Sequence, residues 1–180
     1  MNIILVGFMA SGKTAVGRRV AGRLGYTFLD TDHLIEEELG CTIAELFEQK
    51  GEAVFRQLET AVAERLGELE NHVISTGGGM LTQPGNLERL QRAGLVVFLQ
   101  ADQEEIIERL QRDTRRPLMQ GADLHEKVST LYAQRLPVYS QSDVVIKTKS
   151  MSINQVAAQV IRAITSQKPP RMTGQSSSAH

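Results

Sequence analysis

Lys13 and Thr14 close the run Gly7-Phe8-Met9-Ala10-Ser11-Gly12-Lys13-Thr14. Glycines at both ends of such a loop let its backbone N–H groups turn inward around an anion. The lysine adds a mobile ammonium and the threonine a hydroxyl able to ligate Mg²⁺. The apolar run Ile3 to Val6 leads directly into the loop, and Ala15 to Leu24 follows it with Val16, Val20 and Leu24 on one helical face. A strand emptying into a helix N-terminus aims the helix dipole at the bound anion. Residue types, spacing and context together predict a phosphate-binding loop of a nucleotide enzyme.

Other residues suggest what the phosphate meets. Asp30 and Asp32 follow the apolar stretch Thr27 to Leu29, and carboxylates two apart on an extended segment project to the same side. One can hold a water of Mg²⁺ while the other meets a substrate hydroxyl. Read alone, Asp32 fits equally well as the N-cap of a helix beginning at His33. Gly77, Gly78 and Gly79 follow Thr76, and consecutive glycines carry an entropic cost that a plain turn does not require, so something approaches that backbone closely. Arg109, Arg112, Arg115 and Arg116 precede Pro117 and Gly121, which predicts a basic flap between two helices. Arg56 and Arg135, judged by spacing alone, read as solvated helix residues.

Short apolar runs at Ile3 to Val6, Thr27 to Leu29, His72 to Ser75, Leu95 to Leu99 and Val144 to Ile146 alternate with helical stretches. That alternation is the mark of an α/β fold with a parallel sheet, which binds ligands at the carboxyl ends of its strands. Thr42, with Glu45 three residues on, predicts a capped helix ending near Gly51, and Val54, Leu58, Val62 and Leu66 predict the apolar stripe of the next. Ile153, Val156, Ala157, Val160, Ile161 and Ile164 give the clearest helical period, with Ser152 as N-cap. From Gln167 onward Pro169, Pro170, Gly174 and Ser176 to Ser178 leave nothing to bury, so 1–166 is expected as one domain and 167–180 as a disordered tail.

Composition narrows the function. The 180 residues carry 20 basic and 21 acidic side chains, net −1, so no global field recruits nucleic acid or an anionic membrane. Cys41 is the sole cysteine, which excludes an internal disulfide, and the four histidines lack metal-ligand spacing. No apolar run is long enough for a membrane span and no signal-peptide layout is present, so a cytoplasmic protein is expected, and a monomer for want of a large apolar patch.

Taken in order, the loop, Asp30-Thr31-Asp32, Gly51-Glu52 with Phe55-Arg56 and Glu59, Thr76 to Gly79, Arg116-Pro117-Leu118, and Arg135 with Pro137 and Tyr139 resemble the shikimate kinase family over residues 1 to about 165. The resemblance implies a phosphate-loop three-layer sandwich with a five-stranded sheet in order 2-3-1-4-5, a substrate-binding region and a lid. It implies transfer of the ATP γ-phosphoryl to the 3-hydroxyl of shikimate on the route to aromatic amino acids, with Mg²⁺. Carried over residue by residue, ATP contacts fall to Gly7, Ala10, Ser11, Gly12, Lys13, Thr14, Ala15, Arg109 and Arg116. Thr14 and, through water, Asp30 match the metal positions; Asp32, Arg56, Gly78, Gly79 and Arg135 match the substrate positions; Lys13, Asp32 and Arg116 match the catalytic ones. Met80 and Met119 depart from the family pattern and bear on lid packing. A gluconate or nucleoside monophosphate kinase, or a nucleotide-binding regulatory module without turnover, stay as alternatives.

Overall fold

The computed structural model describes residues 1–112 and 123–166. The basic flap with Arg115, Arg116 and Met119, and the tail 167–180, lie outside the described residues. Five parallel strands, β1 (Asn2–Val6), β2 (Thr27–Asp30), β3 (His72–Ser75), β4 (Gly94–Gln100) and β5 (Val144–Lys147), form one sheet in the order β2-β3-β1-β4-β5. The expected topology is therefore present. Ile4 pairs with Ile74 on one side and Val96 on the other, which puts β1 at the centre of the sheet.

All of β1 is buried because both faces of the sheet are covered. Ile3 and Leu5 point to one layer, where α1 (Lys13–Leu24) contributes Val16 and Val20 and α8 (Ile153–Ser166) contributes Val156 and Val160. Ile4 and Val6 point to the other. There α2 (Thr31–Leu39), α4 (Glu52–Arg65), α5 (Asn86–Ala93), α6 (Gln103–Arg112) and α7 (Leu124–Tyr139) bring Ile35, Phe55, Leu90, Ile107 and Val128. The period-2 alternation of a strand thus feeds two separate cores.

Helix α3 (Ile43–Lys50) opens with the expected reciprocal cap: Glu45 N–H donates to Thr42 Oγ1 at 3.2 Å, and Thr42 N–H donates to Glu45 Oε2 at 2.7 Å. Ser152 caps α8 in the same way, through Gln155. Two expectations need correction. The helix after β2 begins at Thr31, not His33, and its N-cap is Asp30, whose Oδ1 accepts from Asp32 N–H at 3.2 Å. Asp32 therefore sits in a first helical turn, so the same-side argument for an extended pair does not apply. In α4 the deep stripe is Phe55, Glu59 and Val62, leading on to Leu66, while Val54 and Leu58 are only partly buried. A glutamate within a buried stripe was not foreseeable from hydrophobic period.

Candidate active site

The loop from Gly7 to Gly12 turns under the carboxyl end of β1 through left-handed φ values at Gly7 (148°), Ala10 (58°) and Gly12 (93°). Ala10 does this with a Cβ, a conformation disfavoured for L-residues and concentrated at functional loops. Gly12 caps α1, so the first N–H groups of that helix join the concave backbone. Lys13 folds back over the loop: its ammonium donates to the carbonyls of Gly7 (2.9 Å) and Phe8 (2.8 Å) and lies 3.4 Å from Ser11 Oγ. Arg109 approaches from α6, donating through Nη1 to the Ala10 carbonyl at 2.9 Å while Nη2 pairs with Glu105 at 3.3 Å.

Beside the loop, three oxygen groups meet at the ends of neighbouring elements. The Thr14 hydroxyl lies 3.0 Å from Asp30 Oδ2 and 3.5 Å from Ser75 Oγ. An all-oxygen set of one carboxylate and two hydroxyls suits a hard cation that keeps several waters and takes its remaining ligands from phosphate. Among the described residues no cluster of three or more His, Cys, Asp or Glu could cage a metal by itself. These residues therefore fit Mg²⁺ that takes its other ligands from a nucleotide.

The other wall is held by buried charge. Glu59 is fully buried, with Oε2 2.6 Å from Arg56 Nη1; Glu52 Oε1 takes Nη2 of the same guanidinium at 2.7 Å and Nε at 3.1 Å. Only 16% of the Arg56 side chain is exposed, so the solvated reading drawn from spacing is wrong. The physical reason is that the helix turns Arg56 into the cleft, where glutamates at i−4 and i+3 replace its water. Burial pushes the Glu59 carboxyl above its usual range; the Arg56 charge opposes this and the nearby Asp32 carboxylate adds to it. Burial pulls the Arg56 guanidinium down, and the two glutamates more than reverse that.

The glycine run fits between these groups. Gly77 N–H donates to Thr31 Oγ1 at 3.0 Å, and a Cβ at Gly77 would overlap Asp32 Oδ1 and lie 2.7 Å from Glu59 Oε1. A Cβ at Gly79 would overlap the Arg56 guanidinium. The close approach expected of this backbone is thus to the protein's own charged side chains. At Gly78 a Cβ would sit 3.2 Å from the Met9 amide nitrogen, so the glycine turn abuts the phosphate loop. Arg135 Nη1 donates to the Gly78 carbonyl at 3.0 Å, and its guanidinium carbon stands 5.6 Å from the centre of the Phe8 ring. Four residues on, and so on the same helical face, the Tyr139 hydroxyl donates to the same carbonyl. Burial pushes the Tyr139 hydroxyl up to about 12, with Arg135 opposing. Met80, next in the chain, is wholly buried and fills core space.

The fold brings Lys13, Thr14, Asp30, Asp32, Arg56, Gly78, Gly79 and Arg135 to one cleft, with Arg109 on the loop's outer side; Arg116 lies outside the described residues. Glu52, Glu59, Ser75 and Tyr139 belong to the same network without having been assigned roles. The signal for Glu59 was its i+3 spacing from Arg56, and for Tyr139 its i+4 spacing from Arg135. A concavity of about 340 Å³ lined by Leu81, Pro84, Leu87, Gln134 and Val138 lies elsewhere, and none of these charged side chains lines it. Convergent charge marks this cleft, and volume does not.

The sequence profile described as "Shikimate kinase" matches residues 9–165. A shikimate kinase of Caldanaerobacter subterraneus subsp. tengcongensis is 41% identical over 162 residues, covering 90% of this chain and 95% of its own. One from Pelotomaculum thermopropionicum is 43% identical over 160 residues, covering 89% and 93%. Among solved structures, the shikimate kinase from Acinetobacter baumannii in complex with shikimate superposes with a TM-score of 0.87 at 40% identity, covering 93% of this chain and 94% of that one.

Proposed function

Because this chain belongs to the shikimate kinase family, we propose that its cleft joins ATP to shikimate through the residues described above. The reaction is transfer of the ATP γ-phosphoryl to the 3-hydroxyl of shikimate, giving shikimate 3-phosphate and ADP for aromatic amino acid biosynthesis. The observation that carries the residue assignment is the contact of the Gly78 turn with the phosphate loop at Met9, which sets acceptor and donor sites side by side.

On the donor side, the loop amides and the N-terminus of α1 hold the phosphates, and Lys13 exchanges the Gly7 and Phe8 carbonyls for phosphate oxygens. When bound, Mg²⁺ neutralises phosphate charge; Thr14 would hold it directly and Asp30 through water. On the acceptor side, the shikimate carboxylate is taken by Arg56 and Arg135. Arg56 has five N–H donors, of which Glu52 and Glu59 engage Nε and one on each terminal nitrogen, leaving a pair for the ligand. Asp32 orients the ring hydroxyls. As the 3-hydroxyl oxygen bonds to the γ-phosphorus and the bond to the bridging oxygen of ADP breaks, the hydroxyl proton passes to the Asp32 carboxylate. Phosphoryl transfer through a loose transition state depends mainly on alignment and charge, so Lys13 and Arg116 contribute more to rate than proton removal does. Arg109 steadies the loop from outside, through Ala10 and on the nucleotide side.

The protein is proposed to act as a monomer in the cytoplasm, where ATP is supplied, with 1–166 as the catalytic domain and 167–180 as a dispensable tail. The deciding experiment compares shikimate, gluconate and AMP as acceptors in one ADP-release assay, with and without Mg²⁺, and identifies the product by mass spectrometry. A singly phosphorylated shikimate formed only with Mg²⁺ is expected. Equal release with gluconate or AMP, or tight ATP binding with no acceptor-dependent release, would overturn the assignment.

A further inference from the structure

Tyr139 has no part in the scheme above, yet it is among the largest fully buried side chains of the molecule and touches the cleft. Its ring stacks on Phe98 of β4 at 5.0 Å between centres. A phenylalanine would pack equally well there, and burying a hydroxyl costs free energy unless it is bonded. The bond it makes is to the Gly78 carbonyl, which also accepts from Arg135 Nη1 at 3.0 Å, so both lone pairs of that oxygen are used.

This has a geometric consequence at the next residue. The Gly78–Gly79 bond is trans, so its C=O and N–H point in opposite directions. Drawing the Gly78 oxygen towards α7 turns the Gly79 N–H away from α7; Gly79 itself lies against the Arg56 guanidinium. Among the described residues the Gly79 N–H meets no acceptor. Without a clamp, consecutive glycines rotate this peptide easily. We infer that Tyr139 is a positioning residue for the acceptor: its hydroxyl locks the Gly78–Gly79 peptide and so holds Gly79 and Arg135, both among the substrate positions named above, in place for the acid group of the ring. The hydroxyl also restrains Arg135, since both share one acceptor. With its value near 12, the hydroxyl remains a donor throughout the working pH range. The inference rests on the shikimate kinase reading and extends it to a residue outside the contact shell.

The test is Tyr139→Phe, assayed with shikimate and ATP varied separately and melted alongside Phe98→Leu, which loosens the stack but keeps the hydroxyl. Losing one hydrogen bond that orders the site should raise the shikimate KM about fivefold, with the ATP KM within about twofold and little change in Tm. Phe98→Leu should do the reverse, lowering Tm more and the apparent shikimate affinity less. In the wild type, shikimate should shift and protect the Gly79 amide in ¹⁵N-resolved spectra, a readout that does not depend on any variant folding. An unmoved Gly79 amide overturns the inference, as does a Tyr139→Phe enzyme with an unchanged shikimate KM or with equal rises in both KM values. A wild type inert towards shikimate instead removes the functional reading and this inference with it.

Discussion

The two walls of the cleft are built differently. The phosphate wall is one unbroken run, Gly7 to Thr14, whose lysine is held by the loop's own carbonyls. The acceptor wall is collected from Asp32 on α2, Arg56 and Glu59 on α4, the Gly77–Gly79 turn, and Arg135 and Tyr139 on α7. The first stabilises charge with backbone dipoles, which the strand-loop-helix path fixes once the strand is in place. The second stabilises charge with charge, inside the protein, where each group depends on its partner remaining present. Damage to the phosphate wall should therefore reach chemistry and spare the fold, whereas loss of a buried charge partner from the acceptor wall should reach both.

The sharpest way to break that contrast is Lys13→Ala. Loss of a preorganised cation at the transferring phosphoryl should lower kcat about 10²–10³-fold, while the melting temperature falls only a few degrees. Activity and melting measured on the same preparation check this, and a joint collapse would show that Lys13 holds the fold. Next is Glu59→Ala, which strips Arg56 of its buried partner and leaves a hole beside Gly77. Urea unfolding should show a loss of about 2–3 kcal/mol, together with a higher shikimate KM. A variant as stable as the wild type would place the acceptor wall in the same class as the loop.

A smaller effect should follow Arg56→Lys. An ammonium cannot reach Glu52, Glu59 and a carboxylate in one plane, so shikimate affinity should fall about tenfold with ATP affinity unchanged. Calorimetric titration of each ligand separates the two, and equal losses would mean that the walls are not independent.

The smallest effect is a dependence on pH. The folded Glu59 carboxyl titrates above its ordinary 4.5, so the folded state holds that proton more tightly than the unfolded chain. Its contribution is intact below about pH 4.5 and is lost as pH climbs through the raised value. The stability of wild type relative to Glu59→Gln should therefore decline from pH 4.5 towards neutrality in paired melts. A difference that grows with pH would mean that the Arg56 pairing outweighs burial.

The same contrast explains how much could be read in advance. The strands, their alternation with helices, the reciprocal cap at Thr42 and the N-cap at Ser152 follow from local pattern and are present as expected. The phosphate loop is equally local, apart from the left-handed Ala10, whose residue type gives no sign of it. Spacing on its own put Arg56 in water and took Glu59 for no core residue at all, because a helical period ranks side chains by hydrophobicity and cannot register that two opposite charges enter a core together. Asp30 and Asp32 were read as strand neighbours because the chain gives no marker of the residue at which β2 ends and α2 begins.

The order of amino acids by itself determined the strands, the helices that alternate with them and an anion-binding turn at the end of the first strand, since each depends on contacts within a few residues or on simple periodicity. Only the tertiary structure decided that Gly78 lies against Met9, that Gly77 lies against Asp32 and Glu59, and that Arg135 and Tyr139 share the Gly78 carbonyl. Those contacts join segments far apart in the chain, and their energies come from desolvation and directed hydrogen bonds that exist only once the layers have closed over them.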